Sequence, residues 1–439
     1  MWPYHSDLLA RPVPRYTSYP TAAEFTEGVE RSAHDAALAA IAPGAEVSLY
    51  LHIPYCHEIC WYCGCNTGAA NRSARLTAYL DALSAEIDLL ARRVAARVRV
   101  GRIAFGGGSP NAISAEAMAG LVAQLRDRFD APAPILSVEL DPRSWSSEWE
   151  AMLATCGFQR ASLGVQTFAA EVQARIGRVQ PTELIAEVTA GLRRAGVASI
   201  NHDLMYGLPG QDIAALEDSI HQSVALGADR LAVFGYAHVP HMLPRQRRID
   251  ASQLPDGYAR FRQAAFAYHL LARHGYVPVG FDHFAKPTDP VGRAVKEDRI
   301  FRNFQGFTDD TSQYLLGLGA SAISQFPHLI VQNDKSAGRY RMNVTAELLA
   351  TERGVARDGE DQLRGRIIEH LLCRGHAKVP AGRFVDALDR LTPFADAGLV
   401  TLGNGEVRIA PSALAYARGI AACFDRHREP GQRQFSSAV

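Results

Sequence analysis

Apolar and polar positions follow two different periods along the chain, and these periods separate predicted strands from predicted helices. Short apolar runs predict strands at 47–53, 102–106, 135–140, 160–166, 198–205 and 229–236. The amphipathic stretches between them predict helices, including 73–98, 114–129, 182–195 and 213–226. Because strands alternate with helices, we expect βαβ units, a parallel sheet and right-handed crossovers.

Polar side chains recur on one face of the predicted strands. In the third strand Ser137 and Glu139 alternate with Leu136, Val138 and Leu140, and three other strands show the same alternation. Six units fit an open doubly wound sheet or an incomplete barrel, but a strand covered by helices on both faces would be apolar on both. The pattern therefore favours an α/β fold, a partial six-unit TIM-like βα barrel, whose concave side lines a wet cavity.

Three segments of the chain differ in their patterns. Residues 1–45 predict an N-terminal arm and one helix, and the prolines and aromatic residues of 11–20 predict an extended arm. The arm is either a strap laid over the body or a lid near the active site. Residues 46–345 contain the barrel units and form the predicted catalytic domain. Residues 346–439 predict a mainly helical, winged-helix-like domain.

Charge and hydropathy narrow the class of protein. The 439 residues contain 46 basic and 46 acidic side chains, so no overall basic field indicates nucleic acid or an anionic membrane as a partner. The first residues lack the pattern of a secretory signal, and we find no apolar run long enough to span a bilayer. These features, with clustered cysteines, predict a cytoplasmic protein.

Four of the seven cysteines lie within ten residues after the first predicted strand, at Cys56, Cys60, Cys63 and Cys65. The Cys-x3-Cys-x2-Cys run lets three thiolates converge from one loop, which is typical of an iron–sulfur cluster. Tetrahedral zinc with Cys65 as the fourth ligand is the main alternative, although two ligands separated by one residue are cramped on one metal. A disulfide framework does not fit one tight group in so long a chain. Three ligands would leave one iron open.

A glycine-rich turn and several polar residues follow the predicted strands. The turn at 106–110 reads Gly-Gly-Gly-Ser-Pro, and its glycines let backbone groups approach a polar ligand. It has neither the spacing of a dinucleotide fingerprint nor a P-loop ending. Glu139, Gln166, Arg178 and Asp203 lie on or just after strands, where a barrel collects its functional groups. They suit an amino-acid-like ligand, or else form structural ion pairs.

Together these motifs resemble the radical S-adenosylmethionine superfamily, and within it the oxygen-independent coproporphyrinogen III oxidase family. The matching residues span the chain and are Arg15-Tyr16-Thr17-Ser18-Tyr19-Pro20, His52-Ile53-Pro54, the cysteine loop with Cys63-Gly64-Cys65, Gly164-Val165-Gln166, Asp203-Leu204-Met205-Tyr206-Gly207-Leu208-Pro209, Asp282-His283-Phe284 and Asn303-Phe304-Gln305-Gly306. Four positions depart from the family pattern, at Ser109 and Asn111 in the glycine turn, at Tyr62, where phenylalanine is common, and at His202. Ser109 stands where threonine is usual but keeps the hydroxyl, and His202, on the helix-facing side of its strand, is expected to be a core histidine without a role.

The resemblance implies the cofactors and their contacts. Cys56, Cys60 and Cys63 would ligate a 4Fe–4S cluster, and Cys65 would not. Two S-adenosylmethionine molecules are expected. Positions around the cluster-bound molecule correspond here to Tyr50, Gly107, Glu139 and Ile323. Positions around the second correspond to Tyr62, Gly108, Ser109, Gln166, Arg178, Asp203 and Ala237. No catalytic residue is assigned beyond these contacts.

The resemblance also implies the reaction and its partners. Coproporphyrinogen III would be oxidatively decarboxylated to protoporphyrinogen IX in haem biosynthesis, by a 5′-deoxyadenosyl radical made from S-adenosylmethionine. An electron donor and a terminal electron acceptor, both unidentified, would be needed, and we expect a monomer. The substrate carries four propionates, so Arg15, Arg245, Arg247, Arg248 and Arg302 are candidate anchors.

Two related groups of proteins remain as alternatives. A haem chaperone would bind haem and S-adenosylmethionine without decarboxylation, but such proteins usually lack both the Arg-Tyr-Thr-Ser-Tyr-Pro arm and the cysteine that corresponds to Cys65. A radical methyltransferase that opens haem would share the cluster but not the Cys-Gly-Cys pair.

Overall fold

A twelve-stranded sheet forms the body of the molecule in the computed structural model, which describes residues 2–70 and 73–428. Within these ranges the strands are β1 (Ala45–Ile53), β2 (Tyr55–Cys56), β3 (Gly68–Ala69), β4 (Val98–Gly107), β5 (Ile135–Leu140), β6 (Arg160–Gln166), β7 (Ser199–Tyr206), β8 (Arg230–Gly235), β9 (Val277–Val279), β10 (His283–Ala285), β11 (Phe301–Asn303), β12 (Gly306–Thr308), β13 (Tyr314–Leu318), β14 (Ile323–Gln325), β15 (Leu329–Asn333), β16 (Thr351–Ala356), β17 (His376–Lys378), β18 (Val400–Gly403) and β19 (Glu406–Ile409).

Helices follow most of the parallel strands, as βαβ units require. In the same ranges the helices are α1 (Ser6–Leu9), α2 (Arg31–Ala39), α3 (Ser73–Val94), α4 (Ala115–Arg128), α5 (Ser147–Cys156), α6 (Ala170–Arg175), α7 (Thr182–Arg194), α8 (Ile213–Ala225), α9 (Gly257–Arg273), α10 (Pro290–Lys296), α11 (Ala337–Thr345), α12 (Gly359–Arg374), α13 (Val385–Asp396) and α14 (Ala417–Ala422). Some of these helices begin at a side-chain cap: Ser114 accepts from the Ala117 N–H at α4, and Asp212 accepts from the Ala215 N–H at α8.

The strand order of the sheet is β16-β15-β14-β13-β1-β4-β5-β6-β7-β8-β10-β9. The six predicted strands are β1 and β4 to β8, and all their neighbouring pairs are parallel. A seventh parallel strand, β13, pairs with β1 on its other side, and the sequence analysis predicted no strand there. Antiparallel strands extend both edges, and the two ends of the sheet do not pair with each other. The predicted α/β partial barrel is therefore confirmed, with one more parallel strand than expected.

The apolar face of the parallel strands packs under the helices. Leu49, Leu51 and Ile53 of β1 are almost fully buried, as are Ile200 and Leu204 of β7. Such close burial of large aliphatic side chains is the main favourable contribution to folding. The helix-facing side of the sheet is thus the core of the protein, as the alternation in the sequence predicts.

The polar face of the same strands lines one cavity of about 340 Å³. Residues from β1, β4, β5, β6, β7 and β8 all contribute to its wall, which requires the sheet to curve around it. At its floor, near the amino ends of β4 and β6, Arg102 and Arg160 donate to Asp309 at 2.7 and 2.6 Å. Ser137, Glu139 and the other polar positions therefore face a common wet space.

The C-terminal region packs helices against a small antiparallel sheet of order β17-β19-β18. The sequence predicts two short strands here, at 398–400 and 407–409. Strand β19 contains the second, whereas β18 begins only at the last residue of the first. The division of the chain at 345/346 stays a prediction. Because β16 at Thr351–Ala356 still pairs with the main sheet, we propose that the C-terminal unit begins after this strand.

The N-terminal arm lies against the end of the chain. The Tyr16 hydroxyl donates to Asp425 at 3.0 Å, and the His5 N–H donates to the Tyr416 hydroxyl at 2.8 Å. Trp2 and Val13 of the arm are buried. These contacts give the arm the position of a strap. None of the helices within the described ranges is long and apolar enough to cross a membrane.

Candidate functional site

The predicted site residues gather at the carboxyl edge of the parallel strands. The cysteine loop follows β1, the glycine turn ends β4, and Gln166 is the last residue of β6. Ala237 follows β8, and Ile323 is the first residue of β14. The carboxyl edge is where α/β barrels collect their functional groups, because loops from every strand meet there. The structure thus brings residues from distant parts of the sequence to one edge of the cavity.

The cysteine loop is closed on itself by backbone pairing. Strand β2 pairs with β3, with Tyr55 opposite Gly68 and Cys56 opposite Ala69. The Cys56 thiol lies 3.2 Å from the Thr67 hydroxyl, and both Cys56 and Cys60 are buried while Cys63 is half-buried. The sulfur atoms of these three cysteines therefore lie on a single loop that is closed by backbone hydrogen bonds.

Two guanidinium groups point at the Cys60 sulfur, which is the strongest sign that this loop holds a negatively charged group. Arg178 donates to Cys60 Sγ at 3.2 Å and Arg143 at 3.3 Å. Both arginines also pair with the buried Asp141, Arg143 at 2.6 Å and Arg178 at 3.1 Å. Two guanidinium groups within hydrogen-bond distance of this sulfur can balance the negative charge of an iron-bound thiolate.

The donor set fits a thiolate-bound cluster. Within residues 2–70 and 73–428, no three His, Cys, Asp or Glu side chains are placed to hold a single metal ion. A cluster binds each thiolate to a different iron, so its ligands do not converge on one point. Three cysteines on a closed loop, with two cations to balance their charge, match that requirement.

Cys63 and Cys65 interact with each other. The Cys65 N–H donates to Cys63 Sγ at 3.4 Å, and a hydrogen bond from the Cys65 side chain is the main reason that the pKa of Cys63 is lowered to about 6. The same interaction raises the pKa of Cys65. Burial raises the pKa of Cys56 to about 11. Cys65 therefore acts here as a donor to Cys63.

Tyr50 and His52 share the inward face of β1, as predicted, and contact each other. The Tyr50 hydroxyl lies 3.1 Å from His52 Nδ1, and His52 Nε2 lies 3.4 Å from the Asn66 carbonyl oxygen. Burial lowers the pKa of His52 to about 4, so the imidazole is neutral near pH 7. The His52 ring therefore adds no charge beside the cysteine loop.

The glycine turn is packed too tightly for side chains. A Cβ at Gly107, which has φ 121°, would lie 2.8 Å from the Ile53 carbonyl oxygen, and one at Gly108 would collide with Thr67 and Tyr55. The Gly108 N–H donates to Ile53 at 2.9 Å, which ties the turn to the start of the cysteine loop. Only glycine permits this close approach.

Ser109 continues the turn into a buried hydrogen-bond chain. Its hydroxyl donates to Asn111 Oδ1 at 2.5 Å, and the Asn111 side-chain amide donates to the Asp141 carbonyl at 2.8 Å. Asn111 Oδ1 in turn accepts from the Asp141 N–H at 3.0 Å. The glycine turn is thereby joined to the carboxylate that holds Arg143 and Arg178.

Glu139 and Asp203 are two carboxyl groups on neighbouring parts of the cavity wall. Burial, followed by the charge of Asp203, raises the pKa of Glu139 to about 7, although the Gly107 N–H donates to it at 3.2 Å. Burial also raises the pKa of Asp203. Hydrogen bonds from Ser162 at 3.0 Å and Asn201 at 2.7 Å act in the opposite direction. Either carboxyl would ionise more readily beside a cationic ligand.

Gln166 has a strained backbone at the end of β6. Its φ is 68°, a left-handed conformation that is rare for residues other than glycine, and the pairing of β6 with β7 shifts register between Gly164 and Gln166. Such strain persists where the surrounding structure fixes it, and it concentrates at functional sites. Arg178 holds the strand end, since it donates to the Gly164 carbonyl at 2.6 Å.

Gln246, which the sequence analysis did not select, links Tyr62 and Ala237. Its buried side-chain amide donates to the Tyr62 carbonyl at 3.0 Å and to the Ala237 carbonyl at 3.1 Å. Its oxygen accepts from the Val239 N–H at 2.6 Å. One glutamine thus fixes the cysteine loop to the segment after β8.

Ile323 lies beside a small-residue turn that a buried acid supports. Glu86 of α3 accepts from the Gly319 N–H at 2.6 Å, the Tyr340 hydroxyl at 2.7 Å and the Asn333 amide at 2.8 Å. Gly317 packs directly on the Ile323 backbone, where a Cβ would clash. Glu86 was not selected from the sequence, because nothing in its helical neighbourhood distinguishes it from an exposed acid.

The predicted arginine candidates separate into two places. Arg302 donates to the Tyr16 carbonyl at 3.1 Å and to the Arg15 carbonyl at 3.2 Å, so Arg15 and Arg302 lie together at the arm. Arg248 stacks on Trp61 with 5.8 Å between its guanidinium carbon and the ring centroid, and the charge of Arg245 acts on Cys63. Arg247 is exposed.

His202 is a core residue, as expected. It is fully buried on the helix-facing side of β7, and its Nε2 lies 3.2 Å from the Thr189 hydroxyl of α7. Burial lowers its pKa to about 3, which keeps the ring neutral. It has no contact with the cavity residues described above.

Comparison with known proteins extends these observations over the whole chain. The radical SAM superfamily model matches residues 50–222. An oxygen-independent coproporphyrinogen III oxidase of Bradyrhizobium diazoefficiens is 41% identical over 438 residues, which cover 97% of each chain. The enzyme of the same name from Escherichia coli is 35% identical over 439 residues, covering 97% of this chain and 96% of that one.

A solved structure has the same architecture. The coproporphyrinogen III oxidase from Escherichia coli, described as a radical SAM enzyme, superposes with a TM-score of 0.91 at 34% sequence identity. The match covers 97% of this chain and 100% of that one. The similarity therefore includes the arm, the barrel and the C-terminal region.

Proposed function

Since this chain belongs to the oxygen-independent coproporphyrinogen III oxidase family, we propose that it converts coproporphyrinogen III to protoporphyrinogen IX without oxygen, in haem biosynthesis. The observation that carries this proposal is the similarity over 97% of the chain to an enzyme with that name, together with a cysteine loop at the carboxyl edge of a sheet whose polar face lines a cavity. The chain is an oxidoreductase of the radical SAM class, which uses a 4Fe–4S cluster and S-adenosylmethionine.

We propose that Cys56, Cys60 and Cys63 ligate the cluster and that Cys65 does not. Their placement on one closed loop supports this, as do the two guanidinium groups at Cys60. The cluster held there would supply the electron for cleavage of S-adenosylmethionine to methionine, and the 5′-deoxyadenosyl radical so released would be the group that takes a hydrogen atom from a propionate β-carbon. Carbon dioxide and one electron then leave the substrate, and a vinyl group remains.

The residues of the chain would position and shield these groups. For the cluster-bound S-adenosylmethionine we propose contacts from Tyr50, Gly107, Glu139 and Ile323. In this arrangement the Glu139 carboxylate accepts from the ammonium group, and its raised pKa of about 7 falls when that cation binds. The neutral pair of Tyr50 and His52 contributes no competing charge.

For a second S-adenosylmethionine we propose contacts from the residues around the strained end of β6. These are Tyr62, Gly108, Ser109, Gln166, Arg178, Asp203 and Ala237. The left-handed backbone of Gln166 and the carboxyl group of Asp203, which lines the cavity, support this placement.

The reaction also requires partners that the chain does not contain. We propose that a one-electron donor reduces the cluster and that a terminal acceptor takes the electron left after decarboxylation. We further propose that the enzyme works as a monomer, with the whole site built from one chain. Size-exclusion chromatography with light scattering, on the cluster-loaded protein, tests the last point.

An anaerobic turnover assay tests the proposed function. Cluster-loaded protein, a low-potential reductant, S-adenosylmethionine and coproporphyrinogen III should yield protoporphyrinogen IX and one 5′-deoxyadenosine for each vinyl group formed. Tight haem binding with no porphyrin product would instead favour the haem-chaperone alternative.

Matched cysteine variants test the ligand assignment. We expect Cys60→Ser to lose the iron–sulfur absorption band and Cys65→Ser to keep it, because Cys65 contacts Cys63 rather than the cluster. Loss of the cluster in Cys65→Ser would restore Cys65 as a ligand. Cys156→Ser, at a buried cysteine outside the loop, serves as the control.

A further inference from the structure

A second, smaller pocket lies on the other side of β8 from the main cavity. Phe234 and Arg230 of this strand line the cavity, whereas the alternate residues Val233 and Gly235 line the pocket. The pocket also contains Tyr206, the last residue of β7, so it opens at the same carboxyl edge as the cysteine loop. The strand is the shared wall between the two spaces.

Three separate parts of the chain bring arginines to this pocket. Arg15 comes from the N-terminal arm, Arg260 from α9 and Arg418 from α14. Arg302 adjoins them, since it donates to the backbone of Arg15, and Asp282 is the one carboxylate among the residues that line the pocket in the described part of the chain. Asp282 is already paired with His283 at 2.7 Å. The pocket thus has a surplus of positive charge.

Burying this positive charge is unfavourable unless an anion lies beside it. Arg260 Nε is buried and, within residues 2–70 and 73–428, has no hydrogen-bond partner. An unsatisfied buried donor is costly, more so when it is charged. Burial lowers the pKa of Arg260 and brings that of Arg418 to about 10, with the charge of Arg15 adding to the effect in both. Arg260 would therefore be stabilised by a neighbouring negative group.

The size of the pocket limits what that group is. Its volume is about 40 Å³, where one buried water needs about 10–15 Å³ on the same measure. A carboxylate head group occupies such a space, whereas a ring system does not. A planar carboxylate also matches the fork of a guanidinium, which binds it through two parallel hydrogen bonds.

We infer that this pocket, which we call the arginine pocket (Arg15, Arg260 and Arg418), binds a propionate carboxylate of the tetrapyrrole substrate. This inference rests on the proposed function, which supplies a substrate with four propionates next to the shared wall of β8. Anchoring one propionate here leaves the macrocycle over the carboxyl edge, where another propionate can enter the main cavity. Arg15 joins the two spaces, because it donates to the Gly235 carbonyl at 3.0 Å and lies 5.8 Å from the Phe234 ring centroid.

Equilibrium binding tests the arginine pocket without turnover. The probe is coproporphyrin III, the fluorescent oxidised form of the substrate, titrated with cluster-loaded protein under anaerobic conditions. We expect Arg260→Met to raise the Kd at least about tenfold, which corresponds to ~1.4 kcal/mol. Arg260→Lys keeps the positive charge but cannot form the two parallel hydrogen bonds of a guanidinium, and it should give an intermediate Kd. Arg262→Met, at an exposed arginine two residues along the same helix, should leave the Kd unchanged.

A modified probe distinguishes carboxylate recognition from general packing. The tetramethyl ester of coproporphyrin III should bind wild type weakly and should lose little further affinity in Arg260→Met, since the partner of the guanidinium is already absent. An equal loss for acid and ester, or an unchanged Kd for the acid, would overturn the inference.

Steady-state kinetics separates this inference from the proposed function. In the turnover assay Arg260→Met should raise KM for coproporphyrinogen III about tenfold with a smaller change in kcat, the signature of lost ground-state binding. If wild type forms protoporphyrinogen IX and the variant has the same KM, the arginine pocket is wrong while the function stands. If wild type forms none, the function is wrong, and the binding titration still decides the pocket.

Discussion

The buried carboxyl group of Glu86 offers a test of how the protonation of a core residue affects the stability of the protein. It is 5% exposed and holds the turn that precedes Ile323 through the Gly319 N–H, while Tyr340 and Asn333 donate to the same group. Burial raises its pKa from 4.5 to about 7, although the three hydrogen bonds act in the opposite direction. We expect Glu86→Gln to change the free energy of unfolding in a pH-dependent way.

The sign of this dependence follows from proton binding. The folded chain binds the Glu86 proton more tightly than the unfolded chain does, so its contribution is fully favourable below pH 4.5 and is lost as the pH rises to about 7. One pKa unit corresponds to about 1.36 kcal/mol, so wild type loses about 3 kcal/mol across this window. Glutamine does not titrate and should show no such decline.

The measurement is anaerobic urea unfolding of the cluster-loaded protein at several pH values between 5 and 8. At pH 5 we expect Glu86→Gln to be about 1–3 kcal/mol less stable than wild type, because its amide nitrogen faces the Asn333 donor. By pH 8 the gap should shrink by about 2–3 kcal/mol and close or reverse. Glu183→Gln, at an exposed glutamate on α7, is the control. A gap that stays constant with pH would refute the reasoning.

Three further variants probe contacts around the cavity. Asp141→Asn leaves the Arg178 charge without its buried partner, so urea unfolding should show a loss of about 3–5 kcal/mol and calorimetry a weaker affinity for S-adenosylmethionine. Gln246→Leu removes the link to the Tyr62 carbonyl, and we expect several-fold weaker S-adenosylmethionine binding with unchanged iron content. Asp309→Asn removes the carboxylate that pairs with two arginines at the floor of the cavity. Two arginines outweigh burial and hold the pKa of Asp309 well below 3.8, so its stabilisation should be present above that pH and disappear in acid.

A matched aspartate variant separates these effects from the general loss of a charge. Asp389→Asn, at an exposed position on α13, should leave the free energy of unfolding unchanged. Equal stabilities for Asp141→Asn, Asp309→Asn and this control would contradict the two buried-charge predictions. Unchanged S-adenosylmethionine affinity in Gln246→Leu would contradict the third.

The regular part of the fold could be read from the sequence because its signal is periodic. Strands β5 to β7 keep polar and apolar residues on opposite faces for six residues or more, long enough for a period of two to be recognised. Strand β13 lacks that signal, since its five residues end in Gly317 and Leu318 and are buried on both faces. The three-residue strands β9, β10 and β14 are too short to show any period.

The residues of the site also divide into those that the sequence indicates and those that it does not. The cysteines are close in sequence, and spacing alone indicates their chemistry. Gln246 and Glu86 could not be found, because what distinguishes them is a partner 184 residues away at Tyr62 and one 233 residues away at Gly319. Nothing local marks a glutamine or a glutamate as buried, so the residues that position the site depend on tertiary packing.

The strap-like arm has a consequence for the order of events during synthesis. Its residues leave the ribosome well before Asp425 and Arg426, to which Tyr16 and Tyr19 are hydrogen-bonded. The barrel, whose strands lie between these two segments, can therefore assemble before the arm is fastened. The arm can be fastened only after the later segment has been synthesised, and Arg15 and Arg418 can meet only from that point on.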